Sequence, residues 1–291
     1  MIHRFRNKNS GEEKTPAISK WLQSGFHLFL ESYLRRNFDG IGIESISGSG
    51  LDSIPRIGTD FPTESESTIR LSLDAPLLIY ANHPSWWDPM IAQFLNRKLF
   101  PDRQFYAPID AKALEHYRVL GKLGFYGIEL GTSDGIKNFL QLSTAIARTS
   151  STAIWMTPEG KFTDAQDFSS EWMPGLGHLC QRLQVGYVIP LALEYSFWNE
   201  PRPLCLASLG QPTSIRELSQ ETKQDCNQIL ENNLRDTQKR LRSLVVSRDP
   251  KSFSFLNTGH SGPKGIYGHA RKLASLLSGH QLRQRHGDHL K

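Results

Sequence analysis

Cysteine is scarce in this chain. Cys180, Cys205 and Cys226 are odd in number and far apart, a pattern that supports neither a disulfide framework nor a zinc knuckle. Long apolar runs are missing as well, and none approaches the ~20 residues needed to cross a bilayer. The start, Met1-Ile-His-Arg-Phe-Arg, is basic but has no apolar stretch after it, so it does not read as a secretory signal. Mean hydropathy is negative, as in soluble chains, and the expected compartment is the cytoplasm. Metal-ligand spacings of His, Cys, Asp and Glu are absent too, so no metal or other resident cofactor is expected.

The charge excess is small, +5, and it lies at the ends. Arg4, Arg6, Lys8, Lys14 and Lys20 mark the front, and Lys251, Lys264, Arg271, Lys272, Arg283, Arg285 and Lys291 mark the back. Basic ends can meet nucleic acid, anionic lipid or water. With no nucleic-acid module beside them, nucleic acid is not an expected partner, and lipid headgroups or solvent are.

What the chain does contain is a rhythm of apolar strands and amphipathic helices. It predicts an α/β fold, a mostly parallel sheet flanked by helices, with an N-terminal amphipathic helical segment. Residues 1–40 form that segment, 41–248 the α/β domain with a flexible insertion near 47–68, and 249–291 a basic, Gly- and His-rich tail. Thr15-Pro16 reads as the start of the first helix. Trp21, Leu22, Phe26, Phe29, Leu30, Tyr33 and Leu34 then recur at helical spacing and Arg35-Arg36 follow. Such a stripe fits a membrane interface, with arginines at the headgroups. It equally fits a helix packed on its own domain. A helix is expected over residues 111–122, a strand between the turns of 124–131, and a long helix opening at Ser219.

The organising stretch is Leu77-Leu-Ile-Tyr-Ala-Asn-His-Pro-Ser-Trp-Trp-Asp-Pro89. Leu77 to Ala81 reads as a buried strand, and Pro84 suits the first position of a helix. His83 then stands at the carboxyl end of a strand, where α/β proteins place ligands. Asp88, about one and a half helical turns on, can fold back to the imidazole. A carboxylate on one ring nitrogen fixes the tautomer and leaves the other nitrogen to take a proton. The pair therefore reads as a general base for a hydroxyl or thiol, or as a plain capping pair holding a loop. Trp86 and Trp87 fit either an acyl chain or core packing.

Three further pieces follow in order: Gly124-Phe-Tyr-Gly-Ile128, Pro158-Glu-Gly-Lys161 and Val188-Ile-Pro190. Together with Asn82-His83-x4-Asp88 they resemble the lysophospholipid acyltransferase family, the glycerolipid acyltransferases of the HxxxxD motif, over roughly residues 75–210. The resemblance implies an O-acyltransferase of phospholipid biosynthesis, cytoplasmic and peripheral to the membrane. His83 would deprotonate an acceptor hydroxyl that attacks an acyl thioester of coenzyme A or acyl carrier protein, and Asp88 would hold the imidazole. Glu159, Gly160 and Lys161 would bind the lipid acceptor. It also implies that the first helix docks on the membrane surface.

Two positions depart from the family pattern. Glu129 stands at or beside the place of an arginine that contacts the acceptor's phosphate, and Lys161-Phe162 replace a Thr-Arg pair. Lys161 can supply a point charge but not a bidentate fork. The expected acceptor is thus a lysophospholipid, with an uncharged lipid such as a glycosylated terpenoid as the alternative. A catalytically silent lipid-surface protein is the third reading.

Overall fold

All five residues of Leu77–Ala81 are buried, because this strand lies inside a sheet covered on both faces. Leu77, Ile79 and Ala81 join one core cluster, and Leu78 and Tyr80 the other, as the period of two requires. The computed structural model describes residues 15–45, 60–62, 68–129 and 131–259.

In chain order, α1 (Lys20–Asn37) leads into β1 (Gly40–Glu44), and β2 (Asp60–Pro62) and β3 (Thr68–Arg70) follow. Next come β4 (Leu77–Ala81), α2 (Asp88–Leu99), β5 (Gln104–Asp110), α3 (Ala111–His116), α4 (Val119–Lys122) and β6 (Phe125–Ile128). The chain continues through α5 (Ser133–Ala147), β7 (Thr152–Met156), α6 (Gly175–Leu183), β8 (Tyr187–Ser196), β9 (Leu204–Leu209) and β10 (Thr213–Ser214). It closes with α7 (Ile215–Leu218), α8 (Lys223–Ser247) and β11 (Phe253–Thr258).

The sheet runs β11-β1-β9-β8-β4-β7-β5-β6, with β10 added beside β8. The run β8-β4-β7-β5-β6 is parallel throughout. Beyond it, β9 and β10 lie antiparallel to β8, β1 is parallel to β9, and β11 is antiparallel to β1. The mostly parallel α/β sheet expected from the rhythm of the sequence is therefore the fold. Leu30 and Leu34 of α1 and Ile91 and Leu95 of α2 pack on one face. Phe139, Leu179, Leu230 and Leu234 of α5, α6 and α8 pack on the other. Four carbonyls, those of Leu71, Ser72, Ala75 and Thr152, accept from the buried Arg103 guanidinium. That bracket fixes the segment entering β4.

Several boundaries differ from the sequence expectation. α1 starts at Lys20, not at Thr15-Pro16: Ser19 Oγ caps it and the Ser19 amide is tied to the Lys122 carbonyl. The helix expected over 111–122 is broken at Tyr117-Arg118 into α3 and α4, neither with a fully buried residue; each packs one partly buried leucine, Leu114 and Leu120, against the core, and such short helices gain little from packing. The strand expected within 124–131 is only Phe125–Ile128. Ser219 ends α7, and the long helix opens three residues later under Thr222, whose Oγ1 accepts from the Asp225 amide. Inside the insertion, β2 and β3 pair as a hairpin, while 47–59 and 63–67 lie outside the described residues.

Phe253–Thr258, assigned to the tail, instead joins the sheet antiparallel to β1. Gly40 makes room for it, since a Cβ there would lie 2.8 Å from the Phe255 ring. Histidines 260, 269, 280, 286 and 289 lie outside the described residues.

Candidate active site

β4 ends where the chain must leave the sheet, and Asn82 eases the exit. Its buried side chain donates to the Leu193 carbonyl at 2.9 Å and accepts from the Leu193 amide at 2.8 Å. The amide group thus continues the pairing with β8 while the main chain turns away. His83 follows at the carboxyl edge of the central parallel strand. Pro84 does not open a helix. Residues 82–85 belong to no helix or strand, 86–87 form a turn, and α2 begins at Asp88, with Pro89 in the first turn. A proline there wastes no amide.

The imidazole Nδ1 of His83 lies 2.7 Å from Asp88 Oδ2. Since a carboxylate only accepts, the neutral imidazole that makes this contact is the tautomer with its proton on Nδ1 and its lone pair on Nε2. The Ser85 amide donates to the same Oδ2 at 3.0 Å, and Tyr195 Oη donates to Oδ1 at 2.6 Å. The Asp88 side chain is almost wholly enclosed, whereas that of His83 is 18% exposed. Burial, reinforced by the nearby Cys205 and Asp88, pushes the Tyr195 phenol well above its ordinary value, so it remains a donor. Phe162 lies across the imidazole with ring centroids 4.5 Å apart, and is itself largely exposed.

Glu159 is brought to the same place, but its carboxylate faces inward. Oε2 accepts from the His83 amide at 2.9 Å and from Thr163 Oγ1 at 2.9 Å. Oε1 accepts from Ser170 Oγ at 2.8 Å and from Arg235 Nη1 at 3.1 Å. With the Glu159 side chain 1% exposed and that of Arg235 7%, this is a buried ion pair whose oxygens are fully engaged. The expected contact of Glu159 with an acceptor has no open oxygen to make it. The geometry gives this carboxylate a different task, fixing the backbone of His83. The Thr163 amide donates in turn to the His83 carbonyl at 3.0 Å, so the residue is clamped from both sides.

Gly160 lines the cavity beside His83 with φ +63°, where a Cβ would lie 2.2 Å from Met173 Sδ. Lys161 is exposed and outside the cavity lining. That cavity, about 340 Å³, runs from His83 and Asp88 between the strand ends to Phe105, Phe125, Trp155 and Leu193. Its walls are mainly apolar, and Asp110 and Glu129 stand among them. Trp86 is exposed, while Trp87 packs edge-on against Phe38.

A hydroxyl brought to Nε2 of such an imidazole can lose its proton while the resulting positive charge is held by Asp88. The apolar walls offer a dry place for a hydrocarbon chain. Sequence reasoning missed Tyr195 and Arg235. Each reaches the site from more than a hundred residues beyond His83 or by way of a helix on the sheet's far face, and neither belongs to a local motif. No helix among the described residues is long and apolar enough to cross a membrane.

A model of the acyltransferase family matches residues 49–194, a span that takes in β4, the His83 loop, the Glu159 turn and most of β8. No curated protein matches the chain. This chain belongs to the acyltransferase family, that of the glycerolipid acyltransferases, and is an enzyme of acyl transfer.

Proposed function

We propose that the protein moves a fatty acyl group from the thioester of coenzyme A or acyl carrier protein to the hydroxyl of a lipid, with His83 as general base. The hydroxyl oxygen attacks the thioester carbonyl as Nε2 takes its proton. The tetrahedral adduct then collapses, the C–S bond breaks, and the imidazolium returns the proton to the leaving thiolate. Asp88 stabilises the imidazolium, and Tyr195 and Ser85 orient Asp88. Glu159 and Gly160 act by shape: one anchors the His83 backbone, the other keeps the cavity mouth clear. The observation that carries this reading is the 2.7 Å contact of His83 with Asp88 at the head of an apolar cavity.

Of the two acceptor classes considered, the lining of the cavity favours an uncharged lipid over a lysophospholipid. Among the described residues no Lys or Arg lines it, and Asp110 and Glu129 do. Carboxylates repel a phosphate. A catalytically silent role is disfavoured by the complete His83–Asp88–Tyr195 relay.

The membrane surface is the proposed partner. One side of α1 is buried through Leu30 and Leu34, and the other exposes Trp21 (86%), Leu28 (76%) and Phe29 (59%). Phe29 stacks on Tyr33 at 5.4 Å, Tyr33 meets Trp87 at 5.7 Å, and Trp87 meets the exposed Trp86 at 5.7 Å. This aromatic row joins the helix to the His83 loop, and Arg35 and Arg36 stand exposed at the helix end. Apolar rings with basic flanks suit an anionic interface. Incubating the purified protein with acyl-coenzyme A or acyl carrier protein and a panel of lipid acceptors, following thiol release and acylated lipid, tests the reading. Acceptor-dependent thiol release supports it, and none with any acceptor or carrier contradicts it.

A further inference from the structure

His83 is held at its edge by Asp88 and at its backbone by Glu159 and Thr163, and a further contact lies on its ring. The Phe162 and His83 ring centroids are 4.5 Å apart, with the planes tilted by 45°. Rings that close do not meet edge to edge, so the imidazole lies within reach of the negative face of the phenyl group. Core packing does not explain the placement, since 61% of Phe162 is exposed. The backbone does. Glu159 Oε2 accepts from the His83 amide, and the Thr163 amide donates to the His83 carbonyl at 3.0 Å. Thr163 Oγ1 donates to the same Glu159 oxygen at 2.9 Å, which closes the turn 159–163 around His83. Phe162 stands immediately before that second clamp, so its ring is kept beside the imidazole.

During the reaction both ring nitrogens are committed, Nδ1 to Asp88 at 2.7 Å and Nε2 to the proton it takes from the acceptor. The charge of the imidazolium spreads over the whole ring, and only its faces remain for a further partner. A cation within about 6 Å of an aromatic centroid, over the ring face, is stabilised electrostatically. A neutral imidazole gains much less from the same contact. Phe162 therefore acts on the charged form, the one that builds up as the hydroxyl attacks. We propose that Phe162 is a positioning residue of acyl transfer, its ring steadying the imidazole and stabilising the imidazolium through its negative face. This rests on the acyl-transfer reading above and adds a residue to its mechanism. The proton still passes from the acceptor hydroxyl to Nε2 and on to the leaving thiolate. The other charged or titratable groups around the imidazole are Asp88, the neutral phenol of Tyr195 and the Glu159–Arg235 pair behind its backbone. Asp110 and Glu129 stand on the cavity wall, and Lys161 lies on the exposed side. None of these is altered by a change confined to the Phe162 ring.

The test replaces Phe162, in the full chain, by mono-, di- and trifluorophenylalanine in turn. Each fluorine drains the negative face of the ring while leaving its shape nearly the same. Two quantities are read. One is kcat for thiol release from palmitoyl-coenzyme A with a monoacylglycerol as acceptor. The other is the affinity of the His83 ring for its proton, followed by NMR of labelled imidazole with no substrate present. Both should fall stepwise, reaching about fivefold in the trifluoro protein, the weight of one partly exposed cation–π contact, with KM unchanged. Phe162→Leu should match the trifluoro protein. A proton affinity that stays the same across the series overturns the proposal, and so does a change confined to KM, which would make Phe162 a substrate contact. Thiol release that still depends on His83 would then show that the acyl-transfer reading stands without Phe162. Release that His83→Ala leaves intact would show that this reading had itself failed.

Discussion

Tyr195 Oη donates to Asp88 Oδ1 at 2.6 Å, while the other oxygen of the same carboxylate faces His83. One carboxylate is thus shared between a strand on one side and the base on the other. Its position is set by a residue more than a hundred places away in sequence.

Removing that hydroxyl leaves Asp88 less firmly aimed. Tyr195→Phe should lower kcat about tenfold, equivalent to ~1.4 kcal/mol of barrier, with KM and the circular dichroism spectrum unchanged. Because burial keeps the phenol protonated, the effect should be the same from pH 6 to pH 9, a range in which an ordinary Tyr only begins to ionise. A rate within twofold of the parent would remove Tyr195 from the relay.

Glu159 and Arg235 form an ion pair out of reach of solvent. Breaking such a pair from one side costs about 3–5 kcal/mol, because the remaining charge is left uncompensated. Glu159→Gln and Arg235→Met should each lower the urea midpoint sharply, and the double variant should recover part of the loss. Single variants as stable as the parent would mean that the pair does not hold the His83 loop.

The exposed side of α1 should behave as a separate feature. Trp21→Ser with Leu28→Ser and Phe29→Ser should weaken binding to anionic liposomes at least tenfold while the thermal midpoint moves little, since these side chains bury little surface in the folded domain. Co-sedimentation and calorimetry read the two quantities. Unchanged liposome binding would place the membrane contact elsewhere.

His27 on the same helix gives a pH signature. Burial, helped by the positive Arg97, lowers its pKa to about 4, below the ~6.5 of an unfolded His. Between these values the unfolded chain binds the extra proton, so this contribution to stability is complete above ~6.5 and is lost as pH falls towards 4. Urea midpoints at pH 7.5 and 5 should fall further for the parent than for His27→Gln. Equal falls would show that His27 is freely solvated.

Much of this could be read from the chain because it is written locally. Leu77–Ala81 and Thr152–Met156 are apolar runs of strand length and proved to be central strands, with both faces covered. The His83 and Asp88 spacing delivered two side chains in contact, even though Pro84 does not start the helix. The rest depends on distant partners. The family resemblance implied Glu159 close to His83 but not which way its carboxylate points, because Arg235 enters from α8. The stripe on α1 looked like a choice between core and membrane. It proved to have two apolar sides, one covered and one bare, which periodicity cannot separate. Phe253–Thr258 read as tail because an edge strand shows its nature only against its neighbour, here β1 with Gly40 and Gly42.

The most direct test is a cycle of His83→Ala, Asp88→Asn and the double variant, with initial rates of thiol release from acyl-coenzyme A in the presence of a working acceptor. Groups that act as one unit are strongly non-additive. Each single change should cut kcat about a thousandfold, ~4 kcal/mol, and the double change should cost little more than His83→Ala alone. A His83→Ala enzyme that keeps turnover within a few-fold of the parent would contradict the account.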